Sequence, residues 1–145
     1  MNATVSQRVQ PSSNALNKPV SELSLKVLIV EDFETMRKAV TKVLGSLNMK
    51  VVEASNGIEA LKILDAEPVD LVFTDLVMPE MDGFELCEEI RRRPNIRNLP
   101  IIVISTHRDA HYVVRALRCG ADDYLTKPFT ASLAERVVER VMSYV

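Results

Sequence analysis

Short apolar runs alternate with longer stretches of helical period along most of this chain. Lys26-Val27-Leu28-Ile29-Val30 is rich in β-branched residues and too short for a helix, so it reads as a first strand. Met36, Ala39, Val40, Val43, Leu44 and Leu47 then recur at helical spacing, predicting a helix over about 34–47 that Gly45 and Asn48 weaken at its end. Lys50-Val51-Val52-Glu53-Ala54 is a second strand, and Ser55-Asn56-Gly57 turns into a helix carrying Ile58, Ala60, Leu61, Ile63 and Leu64. Leu71-Val72-Phe73 is continuously apolar, the mark of a strand buried on both faces. It runs directly into Thr74-Asp75 and a turn bounded by Pro79 and Gly83.

The alternation continues to the C-terminus. Phe84, Leu86, Cys87 and Ile90 mark a third helix, closed by Arg91-Arg92-Arg93, which suits the negative end of a helix dipole, and by Pro94. Leu99 to Ile104 is a fourth strand, Tyr112 to Leu117 a fourth helix, and the more polar Ala121 to Thr126 a fifth strand placed at a sheet edge. Leu133, Val137, Val138, Val141 and Met142 line a last helix. Five strand–helix units in series imply a doubly wound parallel α/β sheet with helices on both faces. Residues 1–24 are rich in Ser, Asn, Gln and Pro and read as a flexible tail, or as a segment that folds on a partner. Residues 25–145 form the single domain.

Composition narrows the possible functions. A net charge of -2 offers no field for non-specific nucleic-acid binding, and no apolar run approaches the roughly 20 residues needed to span a bilayer. Neither direct nucleic-acid contact nor membrane insertion is expected. The N-terminus lacks the pattern of a secretory signal, and Cys87 and Cys119 have neither disulfide nor metal spacing, so a cytoplasmic protein with two small buried cysteines is expected. His107 and His111 are four residues apart but lack companion zinc ligands, and are expected to face solvent.

The candidate chemistry lies where the strands end. Glu31-Asp32 follows the first, Asp75 the third, Ser105-Thr106 the fourth and Lys127 the fifth, all at the carboxyl edge where open α/β sheets bind ligands. Three crowded carboxylates repel one another unless a cation joins them, and hard oxygen ligands suit Mg2+. Such a cation lets a phosphoryl group approach Asp75, while Lys127 and the Ser105 hydroxyl offer partners to its oxygens. The set reads as a phosphoryl-transfer site with Asp75 as nucleophile. Taken singly, Asp32 or Ser105 could be a helix cap, and Lys127-Pro128 or Asp82-Gly83 a turn; the joint placement carries the reading.

At Val27–Asp32, Thr74–Gly83, Pro100–Ser105 and Gly120–Thr130 the sequence resembles the receiver domain of two-component response regulators, most closely the stand-alone CheY-like regulators. The resemblance spans residues 25–145. It implies a flavodoxin-like sheet of order 2-1-3-4-5 with five helices, and an Asp75 that accepts a phosphoryl group from a sensor histidine kinase or a histidine phosphotransfer protein. It also implies Mg2+ held by Glu31, Asp32, Asp75 and the Val77 backbone carbonyl, and a cis Lys127-Pro128 peptide. Lys127 and Ser105 would contact the phosphoryl group, Ser105 and Tyr124 would act as the switch, and Val77 and His107 would tune the lifetime of the phosphorylated state. The face made by the fourth helix, fifth strand and fifth helix would then meet a downstream target protein, in chemotaxis, motility or another pathway.

Two positions depart from that pattern. Glu31 stands where Asp is also common, and its longer arm suits metal contact through water. Thr106 is larger than the residue usually beside the switch hydroxyl, so it is expected to crowd the path of Tyr124. An Asp-nucleophile phosphatase would carry a second acid at Val77, which argues against an enzyme with external turnover. A flavodoxin-like cofactor site would need glycines, not Glu31-Asp32-Phe33-Glu34, after the first strand. The remaining alternatives are a phosphate-independent protein-binding module and a receiver fragment of a larger regulator with a DNA-binding or enzymatic output domain.

Overall fold

The structure, a computed structural model, describes residues 18–143. Five strands form one parallel sheet of order β2-β1-β3-β4-β5: β1 (Lys26–Val30), β2 (Lys50–Ala54), β3 (Leu71–Thr74), β4 (Ile101–Ser105) and β5 (Asp123–Thr126). The crossovers carry α1 (Glu34–Gly45), α2 (Gly57–Ala66), α3 (Gly83–Arg92) and α4 (Ala110–Arg118), and α5 (Ala131–Met142) follows β5. The polar β5 lies at an edge, as its composition predicts.

Strand alternation builds two cores. Leu28 and Val30 of β1 point to the face covered by α2, α3 and α4, where Ala60, Leu64, Leu86, Ile90 and Ala116 are buried. Val27 and Ile29 point to the other, against Val40 and Leu44 of α1 and Ala134, Val137 and Val138 of α5. With side chains alternating every residue, both faces of β1 must be apolar, which is why the run is unbroken. The same holds for β3, buried along its whole length. Because the chain leaves β1 for the edge at β2 and returns to pair β3 on the other side of β1, winding reverses between β1 and β3. Val30 and Thr74 are in register there, so the residues that follow them open into one crevice.

The structure moves some predicted limits. The first helix ends at Gly45, and Asn48 takes a left-handed φ of 62° before β2. Leu99 and Ala121 precede their strands but are buried. Of the predicted tail, residues 1–17 lie outside the described residues. Pro19 to Leu23, by contrast, forms a 3-10 turn whose Val20 is only 1% exposed in the α1–α5 core, so the packed unit starts before residue 25. Leu23 packs on the same core, and two apolar residues in a polar stretch make too thin a face to set a period.

Two local devices hold the carboxyl edge. Asp82 caps α3 in a reciprocal capping box with Glu85, accepting from the Glu85 N–H at 2.8 Å while the Glu85 carboxylate accepts from the Asp82 N–H at 3.0 Å. Gly83 lets α3 begin against the loop after β3, since a Cβ there would lie 2.1 Å from the Asp75 carbonyl oxygen. At the opposite edge Arg91 donates to the carbonyls of Arg97, Leu99 and Gly120 and to the Asp122 carboxylate. On β2, Glu53 accepts from Arg37 at 2.8 Å and Lys38 at 3.2 Å. Burial alone would raise the Glu53 pKa, but these bonds outweigh it and hold the carboxyl below its ordinary 4.5.

Gly83→Ala should cost about 1–3 kcal/mol through overpacking, measured by denaturant unfolding, and should broaden or shift the backbone resonances of Asp75 and Leu76 in a nitrogen–proton correlation spectrum. A carboxyl with a depressed folded pKa contributes stability above its unfolded pKa and loses it as pH falls through the folded value. Wild type should therefore lose stability between about pH 5 and 3 more steeply than Glu53→Gln, which should itself be about 1 kcal/mol less stable at pH 7.

Candidate functional site

The crevice between the ends of β1 and β3 gathers the predicted acids. Carboxylate oxygens of Glu31, Asp32 and Asp75 all lie within 4.8 Å of one another, and this is the one such cluster of metal-capable side chains among the described residues. Their burial is graded: Glu31 is 2% exposed, Asp75 half-buried and Asp32 exposed. Neither Asp32 nor any other side chain caps α1, whose N-cap is Phe33 with no side-chain hydrogen bond. The capping alternative for Asp32 is therefore not what the fold uses.

Lys127, only 6% exposed, reaches into the cluster from the end of β5. Its ammonium lies 2.7 Å from Glu31 Oε1 and 3.7 Å from Asp75 Oδ2. The second Glu31 oxygen accepts from the Phe33 N–H at 3.2 Å, so this buried carboxylate is satisfied on both sides. A charge at such depth would be expensive without a partner. The lysine stem lies along an apolar cavity of about 120 Å³ formed with Met36, Val40 and Val43 of α1 and with Pro128 and Phe129. Ammonium in the acid site and methylenes in the groove is the division expected of a long amphipathic side chain. The Lys127-Pro128 peptide is cis, as the resemblance implies.

Asp75 Oδ1 accepts from the Leu76 N–H at 2.8 Å, leaving Oδ2 directed toward Lys127. Its backbone N–H bonds the Val30 carbonyl at 2.9 Å, so the ladder between β1 and β3 extends to the acid itself. Val77, two residues on, is 62% exposed, as is Phe33 at 63%, so two apolar side chains stand in solvent on the loops that carry the acids. No acid occupies the position of Val77.

The hydroxyl side of the site is ordered by β4 and β5. Ser105 is 1% exposed and its Oγ accepts from the His107 N–H at 3.1 Å. Tyr124 is half-buried and donates its hydroxyl to the His107 carbonyl at 2.8 Å. Burial raises its pKa, opposed by the nearby Ser105 hydroxyl and reinforced by the Asp75 charge, which keeps the phenol protonated as a donor. Thr106, one residue past β4, is exposed.

His107 also differs from expectation. It is half-buried and stacks on Tyr112 at 4.2 Å between ring centroids, while the exposed His111 lies 4.3 Å from the same ring at 35°. Cys87 is buried as predicted, and burial pushes its thiol up to about 12. Cys119 is instead half-exposed at the C-cap of α4, with Sγ 3.7 Å from Glu88 Oε2. Sequence reasoning missed Arg37, which donates to the Glu31 carbonyl at 3.0 Å, because a cation on a helix surface is unremarkable until its acceptors are placed.

The comparisons with known proteins agree with this geometry. The family model described as response regulator receiver domain matches residues 27–139. Chemotaxis protein CheY1 of Helicobacter pylori is 36% identical over 120 residues, an alignment covering 81% of this chain and 97% of that one. The probable transcriptional regulator ycf27 of Cyanidium caldarium is 38% identical over 116 residues, covering 80% of this chain but 45% of its own length. Among solved structures, the receiver domain of sensor histidine kinase PA1611 from Pseudomonas aeruginosa PAO1, described with a magnesium ion in its active-site cleft, superposes with a TM-score of 0.76 at 28% identity, covering 82% of this chain and 98% of that one. With its five-stranded 2-1-3-4-5 sheet and its acids at the switch point, this chain belongs to the response regulator receiver domain family and is a CheY-like receiver of two-component signalling.

Proposed function

We propose that this receiver takes a phosphoryl group from a phosphohistidine onto Asp75 and uses it to bias a protein-binding face. The observation that carries the reading is the Asp75 carboxylate, half-buried at the switch point, with two further acids and the Lys127 ammonium around it. Receivers of this family work with histidine kinases and downstream targets; for this chain the donor would be a sensor histidine kinase or a histidine phosphotransfer protein. Asp75 Oδ2 attacks phosphorus, the phosphorus–nitrogen bond breaks, and that nitrogen keeps the electron pair, leaving neutral imidazole because the donor's other ring nitrogen carries a proton.

The residues present suit a magnesium ion: three oxygen ligands within 4.8 Å, one of them exposed to solvent. Glu31, Asp32, Asp75 and the Val77 carbonyl would hold it. Both Glu31 oxygens already accept hydrogen bonds, which suits contact through an intervening water. When bound, the ion would offset charge between the phosphoryl oxygens and the carboxylates. Lys127 would pair with a phosphoryl oxygen in place of its longer contact to Asp75, and Ser105 would donate its hydroxyl proton to one while still accepting from the His107 N–H.

The switch follows from exchanged partners. The half-buried Tyr124 donates its hydroxyl to the His107 carbonyl, on the segment that Ser105 anchors, so drawing Ser105 toward a phosphoryl group would stabilise that arrangement. On the outward side α4 exposes Val114 and Leu117, and α5 exposes Leu133. A target protein would meet this face, in chemotaxis or motility by likeness to CheY1. Among the described residues no helix is long and apolar enough to cross a membrane, which accords with the cytoplasmic location we propose. Without an acid at Val77, turnover of external phosphate esters is not expected, and an exposed apolar side chain there positions attacking water poorly.

Incubation with acetyl phosphate and Mg2+ should add one labile phosphoryl group to wild type by intact-protein mass, and none to Asp75→Asn or to wild type in chelator. Absence of the adduct with every donor would leave a phosphate-independent binding module as the better account. Val77→Asn should shorten the lifetime of the adduct by about 10-fold, less than a positioned acid or base supplies, because an amide can orient water without taking its proton. The lifetime is read as decay of the mass adduct after donor removal.

A further inference from the structure

Between Glu31 and Asp32 runs a single peptide plane, and its orientation sets the direction in which both carboxylates leave the backbone. Arg37, one turn into α1, donates Nη1 to the oxygen of that plane, the Glu31 carbonyl, at 3.0 Å. On the other side of Glu31 its N–H is held by the Ala54 carbonyl of β2 at 3.0 Å. The guanidinium is itself fixed. Its Nε donates to Glu53 Oε1 at 2.8 Å, and the Lys38 ammonium holds the other Glu53 oxygen at 3.2 Å. The Arg37 side chain is only 15% exposed, so water competes poorly for these bonds. The N-cap of α1 makes no side-chain hydrogen bond, and the other side-chain restraint on the turn before it is the Glu31 carboxylate on the Phe33 N–H.

We infer that Arg37, braced by Glu53, is a positioning residue for the cation site: it fixes the Glu31–Asp32 peptide so that both acids converge on Asp75. The inference rests on the proposed cation site and concerns a residue that touches neither cation nor phosphoryl group. Partners that orient metal ligands from behind commonly change affinity by about 10-fold or more when removed. Charge predicts the reverse. Deleting a cation beside an acidic cluster makes the cluster more attractive to a divalent ion, so positioning and plain electrostatics have opposite signs.

The test is Mn2+ affinity of the full chain, read from the electron paramagnetic resonance signal of the free ion, for wild type, Arg37→Gln, Arg37→Lys and Arg91→Gln. We expect Arg37→Gln to weaken binding by about 10-fold. Arg37→Lys, which keeps the charge but cannot fork between carbonyl and carboxylate, should also weaken it. Arg91→Gln breaks a larger hydrogen-bond set at the far ends of the strands and should leave affinity unchanged, which separates positioning from general loosening. If Arg37→Gln does not fold by far-ultraviolet circular dichroism, Arg37→Lys carries the test. Equal or tighter binding by the folded Arg37 variants, or equal weakening in Arg91→Gln, overturns the inference. Failure of wild type to bind Mn2+ overturns the cation site as well.

Discussion

Everything at the carboxyl edge depends on the buried contact between the Lys127 ammonium and Glu31, 2.7 Å long and closed to solvent on both sides. Removing either partner would leave a charge stranded where water cannot reach it, at a cost of roughly 3–5 kcal/mol. The contact joins the ends of β1 and β5, which are not neighbours in the sheet, and so holds the crevice across two intervening strands. It also leaves the ammonium within 3.7 Å of Asp75, close enough to bias that acid and free enough to change partners.

The surrounding structure keeps that arrangement from relaxing. Apolar residues on both faces of β1 and β3 fix strand register, and register fixes which residues meet at the ends. Gly83 and the Asp82 capping box hold the start of α3 against the loop that carries Asp75. Arg37 ties the acidic turn to the edge strand β2 through Glu53. The packing is shallower around α4, where only Ala116 is fully buried and the half-buried Tyr124 bonds the His107 carbonyl through its hydroxyl.

Much of this was legible in order along the chain. Apolar period marks strands and helices because a residue's burial depends on which way it points, and the five strand–helix units follow from that alone. A residue directly after a core strand must lie at the sheet edge, so Glu31, Asp32, Asp75, Ser105 and Lys127 were locatable without coordinates. The strand order came with the family resemblance, since local pattern does not say which strands pair.

What tertiary structure alone decided is how those residues partner. That Glu31 is the buried acid and Asp32 the exposed one depends on Lys127, 96 residues away. That His107 stacks on Tyr112 and hands its carbonyl to Tyr124 depends on how the end of β4 meets β5. Val20 and Leu23 found a core that the polar stretch around them gave little sign of, and Arg37 met Glu53 only because β2 lies beside α1. Period and strand ends are properties of consecutive residues. Pair contacts between distant segments are set by packing, so the sequence determined which side chains reach the crevice and the fold determined what each of them holds.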